Sequence, residues 1–113
     1  MTAYAIGWLR DIVQGPEIVR YIEEIDATLA PYGGRFRVHG SRPHVIEGEW
    51  RGDFVLIEFP SMEAALNWYA SEAYSALIPL RARNSNSVVF LIDGVDETYR
   101  ATNLLKHLQS LDN

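Results

Sequence analysis

The chain contains no cysteine. Disulfides, thiolate catalysis and cysteine-ligated metal are therefore excluded, and packing alone must hold the fold together. Lysine is almost missing as well, Lys106 being its single occurrence. With 10 basic against 15 acidic residues the net charge is -5, and a nucleic-acid surface, which needs a concentrated basic excess, is not expected. The positive charge that exists is nearly all arginine, a planar fork suited to bidentate contacts, although genomic composition gives the same bias. No apolar run approaches the ~20 residues that span a bilayer. The opening Met1-Thr2-Ala3-Tyr4 has neither a basic n-region nor a small-residue cleavage site, so no membrane association and a cytoplasmic location are expected. Internal repeats and low-complexity segments are absent.

Several chemistries lack their motifs. Tyr32-Gly33-Gly34 follows a helical pattern instead of opening one, so it is no phosphate loop. No serine elbow occurs. The histidines His39, His44 and His107 lack the spacing of a metal site, and His44 with Glu47 or Glu49 is a weak set. Neither a metal nor a cofactor is expected.

What is present is an ordinary globular composition, 48% hydrophobic and 12% aromatic over 113 residues. That length supports one core and not two. The best-defined stretch runs from Phe54 to Arg83. Phe54 to Phe59 is a strand by length and by β-branched and aromatic content, and Pro60 stops it. Ser61 then stands at an N-cap position with Glu63 in the first turn. Ser71 and Glu72 repeat that signature, which predicts a break and restart of the helix. Within the strand Phe54, Leu56 and Glu58 oppose Val55, Ile57 and Phe59, so Glu58 is expected on an otherwise apolar face as a buried carboxylate needing a partner.

Before this unit, Ala3 to Leu9 reads as a strand with Tyr4, Ile6 and Trp8 on one face and Ala3, Ala5 and Gly7 on the other. The small face would let a helix or ligand approach closely. Gly15-Pro16-Glu17 opens a helix whose apolar positions Ile18, Tyr21, Ile22, Ile25 and Leu29 follow helical spacing. Pro31 and Gly33-Gly34 end it. Arg35 to His39 is predicted as a strand with Phe36 and Val38 on one face and Arg35, Arg37 and His39 on the other. His44 to Glu49 reads as a short extra strand, and Arg51-Gly52-Asp53 as a turn rather than an adhesion tripeptide. After the polar loop Asn84 to Ser87, Val88 to Ile92 is apolar throughout and is expected to be buried on both faces. Asp96-Glu97-Thr98 then leads a last helix, to Asp112, with leucines at 104, 105, 108 and 111. It must lay those leucines on its own sheet or on a partner subunit.

The order strand-helix-strand, hairpin strand, strand-helix-strand is a ferredoxin-like α+β plan. Tyr32-Gly33-Gly34-Arg35-Phe36, Ile46-Glu47-Gly48-Glu49-Trp50, Ile57 through Ala65, Trp68-Tyr69 with Ser71 and Tyr74, and Leu80-Arg81 together resemble the DUF1330 family of the dimeric α/β-barrel superfamily. The resemblance covers residues 3–95 and leaves 96–113 as a C-terminal helical extension. It implies an antiparallel sheet with helices on one face, two such sheets meeting face to face in a homodimer. One departure is His39-Gly40-Ser41, where family members carry Arg-Gly-Gly. The family implies no established reaction.

One constellation has chemical content: Arg37, His39, Glu58, Trp68, Tyr69, Tyr74 and Arg81. In a ferredoxin-like sheet these can converge on a cleft between sheet and helix. Trp68, Tyr69 and Tyr74 would line it, Arg81 or Arg37 would clamp a carboxylate, and His39 or Glu58 would accept a proton. Equally, Glu58 can pair with an arginine as a structural ion pair. The constellation supports two readings. One is a homodimer with a pocket for a small organic anion and cofactor-independent chemistry, for which superfamily analogy supplies names such as monooxygenase or isomerase. The other is a non-catalytic dimer that binds a ligand or supports another protein.

Overall fold

A computed structural model describes residues 1–111. Four strands form one antiparallel sheet: β1 (Ala3–Arg10), β2 (Arg35–Val38), β3 (Asp53–Phe59) and β4 (Asn86–Asp93), in the order β2-β3-β1-β4. Helix α1 (Pro16–Leu29) connects β1 to β2. Three short helices, α2 (Met62–Ala70), α3 (Glu72–Ser75) and α4 (Ile78–Ala82), connect β3 to β4. All four pack on one face of the sheet, which is the ferredoxin-like plan. Helix α5 (Leu104–Leu111) follows a 3-10 turn at Ala101–Asn103.

Local chemistry sets the boundaries. The Ser61 hydroxyl accepts a hydrogen bond from the Ala64 amide, and Ser71 does the same for Tyr74, so each serine caps a new helix. The break between α2 and α3 is therefore written into the chain as a restart. Gly33 adopts φ 69° after a 3-10 turn at Ala30–Tyr32, a left-handed conformation that a residue with a Cβ adopts only under strain. Register fixes the two faces of the sheet. Ala5 lies opposite Ile57 and Leu91, and Gly7 opposite Val55 and Val89; these point to the helices. Tyr4, Ile6 and Trp8 share the outer face with Phe54, Leu56 and Glu58 of β3 and Val88, Phe90 and Ile92 of β4.

Four expectations from the sequence are corrected. His44 to Glu49 is not a strand but part of an irregular loop between β2 and β3. The outer edge of β2 stays open beside it, but Pro43 lacks a donor and Gly40 and Gly48 take positive φ, so the segment does not run extended along that edge. Strand β4 is not buried on both faces: Val88, Phe90 and Ile92 are each more than two-fifths exposed in the single chain. A register shift between Phe36 and Val38 breaks the alternation of β2, so Val38 pairs with Leu56 on the outer face while Phe36 faces inward. Finally, Asp96 does not open the last helix. Its carboxylate accepts from the amide and hydroxyl of Thr98 in a local turn, and the helical segment begins only at Ala101. The predicted end of that element at Asp112 lies outside the described residues.

The core sits between the sheet and α2 to α4. Phe59, Trp68 and Tyr74 are its largest fully buried side chains, joined by Ala65, Leu77, Leu29 and Ile25. Helix α2 lies directly on β1, β3 and β4, whereas α1 leans chiefly on α3, α4 and the 3-10 turn. Helix α5 makes its main contacts with the turn before it and exposes Leu104, Leu105 and Leu108.

Candidate functional site

Because α1 is braced by other helices and the sheet beneath it carries Ala5 and Gly7, the layer is not filled. A cavity of about 230 Å3 lies between α1 and the sheet. Ile18, Ile22 and Ile25 of α1 form its roof, and Ala5, Gly7, Val55, Ile57 and Val89 form the sheet side. Phe36, His39, Gly40 and Asp53 line it from the ends of β2 and β3. Trp68, Tyr21, Tyr74 and Arg81 line it from the helical side.

Arg81 is the unusual member. It is only 5% exposed, and among the described residues no carboxylate lies within the 4.0 Å of an ion pair. Its Nη1 donates to the Ser87 hydroxyl at 2.6 Å, but its buried Nε has no hydrogen-bond partner. A buried guanidinium without a counter-ion is costly, and native interiors rarely keep one without a use. Burial alone would lower its pKa, yet the facing hydroxyls of Tyr74 and Tyr21 outweigh that and hold it above its ordinary value. Arg81 is therefore a permanent cation. The Tyr21 and Tyr74 hydroxyls share a hydrogen bond of 2.6 Å with their rings edge to face. Burial first, and then the Tyr74 hydroxyl, push the Tyr21 phenol far up, so it remains protonated.

Trp68 anchors this side. Its ring centroid is 4.0 Å from that of Tyr74, and its Nε1 donates to the Thr28 hydroxyl at 3.0 Å. The polar tip of the indole is thus satisfied inside the core, and its flat surface is free to line the cavity. At the other end the His39 ring stacks on Phe36 with centroids 4.4 Å apart, an exposed imidazole at the rim.

The seven residues singled out by sequence do not all meet. His39, Trp68, Tyr74 and Arg81 line one cavity. Tyr69 does not; it packs behind the site against Trp68 and Tyr74. Glu58 and Arg37 lie across the sheet on its outer face. There Glu58, with a side chain 27% exposed and not buried, meets Arg35 at 3.2 Å and Arg37 at 4.0 Å. The expected convergence of Glu58 with Arg81 is thus corrected: strand alternation puts Glu58 on the face opposite its neighbours Ile57 and Phe59. Sequence reasoning also missed Tyr21 and Asp53. Tyr21 had a readable signal, since a hydroxyl on the apolar stripe of a helix needs a polar partner somewhere. Among the described residues no group of three or more His, Asp or Glu side chains is placed to hold a metal ion, and no helix is long and apolar enough to cross a membrane.

These features define a class: a ferredoxin-like α+β domain, hollow between its sheet and its first helix. The chain belongs to the DUF1330 family, described as a domain of unknown function, with the match running over residues 2–95. No curated protein matches it. Among solved structures it is similar to a protein of unknown function from Rhodopseudomonas palustris, at 15% identity and TM-score 0.63, covering 84% of this chain and 83% of that one. It is also similar to a dimeric ferredoxin-like protein of unknown function from Jannaschia sp. CCS1, at 12% identity and TM-score 0.59, covering 83% and 100%. A third is SnoaB, a cofactor-independent oxygenase from Streptomyces nogalater, at 16% identity and TM-score 0.57, covering 88% and 98%. At these identities the likeness is one of fold.

Proposed function

We propose that this protein is a homodimer whose subunits each bind a small organic anion in the cavity beneath α1, with Arg81 as the anion's partner. The observation that carries the reading is the buried guanidinium, without a counter-ion among the described residues, at the wall of a mainly apolar hollow. A ligand carboxylate would supply the charge and the acceptor that Arg81 lacks. Dimerisation is supported by the apolar outer face of the sheet, where Val88, Phe90 and Ile92 remain exposed in one chain, and by the dimeric relative of the same fold. A second copy laid sheet to sheet would cover that face and enclose the Glu58, Arg35 and Arg37 cluster as well.

Cofactor-independent chemistry is the second reading. It is favoured by one observation: His39 lines the same cavity as Arg81, giving a proton acceptor at the mouth and a charge clamp within. The cofactor-independent oxygenase of the same fold supports it by analogy only. Two variants separate these readings. Arg81→Met is expected to abolish binding of organic acids from a screened set. His39→Ala is expected to leave binding intact and, if the protein is catalytic, to remove turnover. Unchanged acid binding by a folded Arg81→Met protein overturns the reading. For the dimer, Phe90→Asp is expected to give a monomer in light scattering, and a monomeric parent at working concentration refutes it.

A further inference from the structure

Granted that the cavity takes a small organic anion, the reading on which this inference rests, its donors, charges and walls constrain the occupant more narrowly. We infer that the ligand is a singly charged acid with a flat apolar body, an aryl or unsaturated carboxylate, whose two oxygens sit between Arg81 and the Tyr21–Tyr74 hydroxyl pair. Donor counting leads there first. Two phenols carry two hydroxyl protons, and their mutual hydrogen bond uses one. One O–H proton is left over, and beside it the Arg81 Nε–H is also unpaired. Two orphan donors of this kind, one charged and one neutral, match the two oxygens of one carboxylate.

Charge sets the second limit. Among the described residues Arg81 is the one Lys or Arg side chain lining the cavity, and the exposed Asp53 lines it too. A second negative charge on the ligand would find no further cation and an anion in the lining. Dicarboxylates and phosphate dianions are therefore disfavoured. Because Tyr21 keeps its proton, the hydroxyl pair acts as a donor and not as a third charge.

Shape sets the third. The walls are the isoleucines of α1 on one side and a sheet surface on the other that is low because Ala5 and Gly7 carry almost no side chain. A slot between a helix and a strand pair admits a planar body better than a bulky one. At about 230 Å3 it is smaller than the roughly 300–1,000 Å3 of sites for drug-sized ligands. That suits a single ring with a short chain.

The test compares three probes of one skeleton: phenylacetate, its neutral counterpart 2-phenylethanol, and phenylmalonate, a dianion at pH 7.5. Binding to the full chain is followed by calorimetry and by tryptophan fluorescence, to which Trp68 at the cavity wall contributes beside Trp8 and Trp50. Phenylacetate is expected to bind about tenfold or more tighter than either competitor, the weight of one charged hydrogen bond. Tyr21→Phe combined with Tyr74→Phe removes both hydroxyls, the spare O–H with them, and is expected to weaken phenylacetate several-fold while leaving 2-phenylethanol unchanged. This conservative variant keeps the inference testable even if Arg81→Met does not fold. If phenylmalonate binds tightest, or if the paired Tyr21→Phe and Tyr74→Phe variant leaves phenylacetate unaffected, this inference falls and the anion site survives. If 2-phenylethanol binds as well as phenylacetate, or none of the three binds, the anion site falls with it.

Discussion

The two halves of the helical layer differ in how they meet the sheet. Under α2 the space is full: Phe59, Ala65 and Trp68 interlock with almost no exposure, and α2 touches three strands. Under α1 the same sheet is capped at a distance, with alanine and glycine below and branched side chains above, and a cavity remains. Both helices are amphipathic and both cover one ferredoxin-like sheet. What separates them is side-chain volume on the strand facing them. Large residues at β3 and in α2 make a core; small ones in β1 leave a site. A cavity of this size lined mainly by apolar groups forgoes dispersion contacts, and a molecule that fills it recovers them.

Substitutions test that contrast from the filled side first. Trp68→Ala deletes the indole that joins the halves and is expected to cost about 3–5 kcal/mol, as for other buried tryptophans. That is a large share of a stability of roughly 5–15 kcal/mol. Denaturant melts measure it, and a loss under about 1 kcal/mol would mean the core is not packed as described.

Two glycines sharpen the comparison. A Cβ on Gly34 would fall 2.6 Å from the Phe59 ring and 2.9 Å from Leu29, both immobile in the filled half. Gly34→Ala is therefore expected to cost about 1–3 kcal/mol through overpacking. A Cβ on Gly7 meets the flexible end of Leu9 at 3.2 Å and Val55 at 3.6 Å, and occupies the cavity side of the sheet. Gly7→Ala is expected to change stability by less than about 0.5 kcal/mol, the entropic gain of losing glycine offsetting the tight contact. It should weaken phenylacetate. Equal costs at the two sites would erase the distinction between the halves.

The smallest effect concerns the fastening of α1. Glu17 in its first turn accepts hydrogen bonds from Arg83 and from Asn84, the latter at 3.0 Å, tying α1 to the end of α4. The bond from Arg83 first, then that from Asn84, hold the Glu17 carboxyl below its ordinary pKa. A depressed folded pKa means stability that is present above the unfolded value of about 4.3 and lost as the pH falls through the lower folded value. Acidification from pH 6 to pH 3 is thus expected to lower amide protection, measured against the intrinsic exchange rate at each pH, in α1 before α2, modestly because the pair is exposed. Glu17→Gln should show the faster α1 exchange already at pH 6. Protection in α2 falling first would contradict the looser attachment of α1.

Much of this was legible in the residues because it depends on local chemistry. Ser61 and Ser71 announce their caps, Pro16 and Gly33 bracket α1, and the small face of Ala3, Ala5 and Gly7 marks where something other than a large side chain belongs. The misreadings share a cause, which is that pairing partners are not local. His44 to Glu49 has strand-like composition but pairs with no strand of the sheet. Val88, Phe90 and Ile92 read as doubly buried because the exposed outer face of β4 carries the same apolar residues as a core face. The shift at Phe36 and Val38, which separates Arg37 from His39, leaves no trace in residue type. For the site, Trp68, Tyr74 and Arg81 stand on three successive short helices, α2, α3 and α4, whose breaks spacing alone does not orient. Whether His39 or Glu58 joins them depends on which side of the sheet each strand turns.

The amino-acid order alone therefore determined the four strands of the sheet, the ends of α1 and α2 and the ferredoxin-like sequence of strands and helices, since capping, periodicity and turn residues act within a few positions. Tertiary structure decided which face each charge occupies and that Arg81 ends up buried with no carboxylate of the described residues beside it. Those outcomes depend on register and on the distance at which α1 is held from the sheet, and both are set by contacts between residues far apart in the chain.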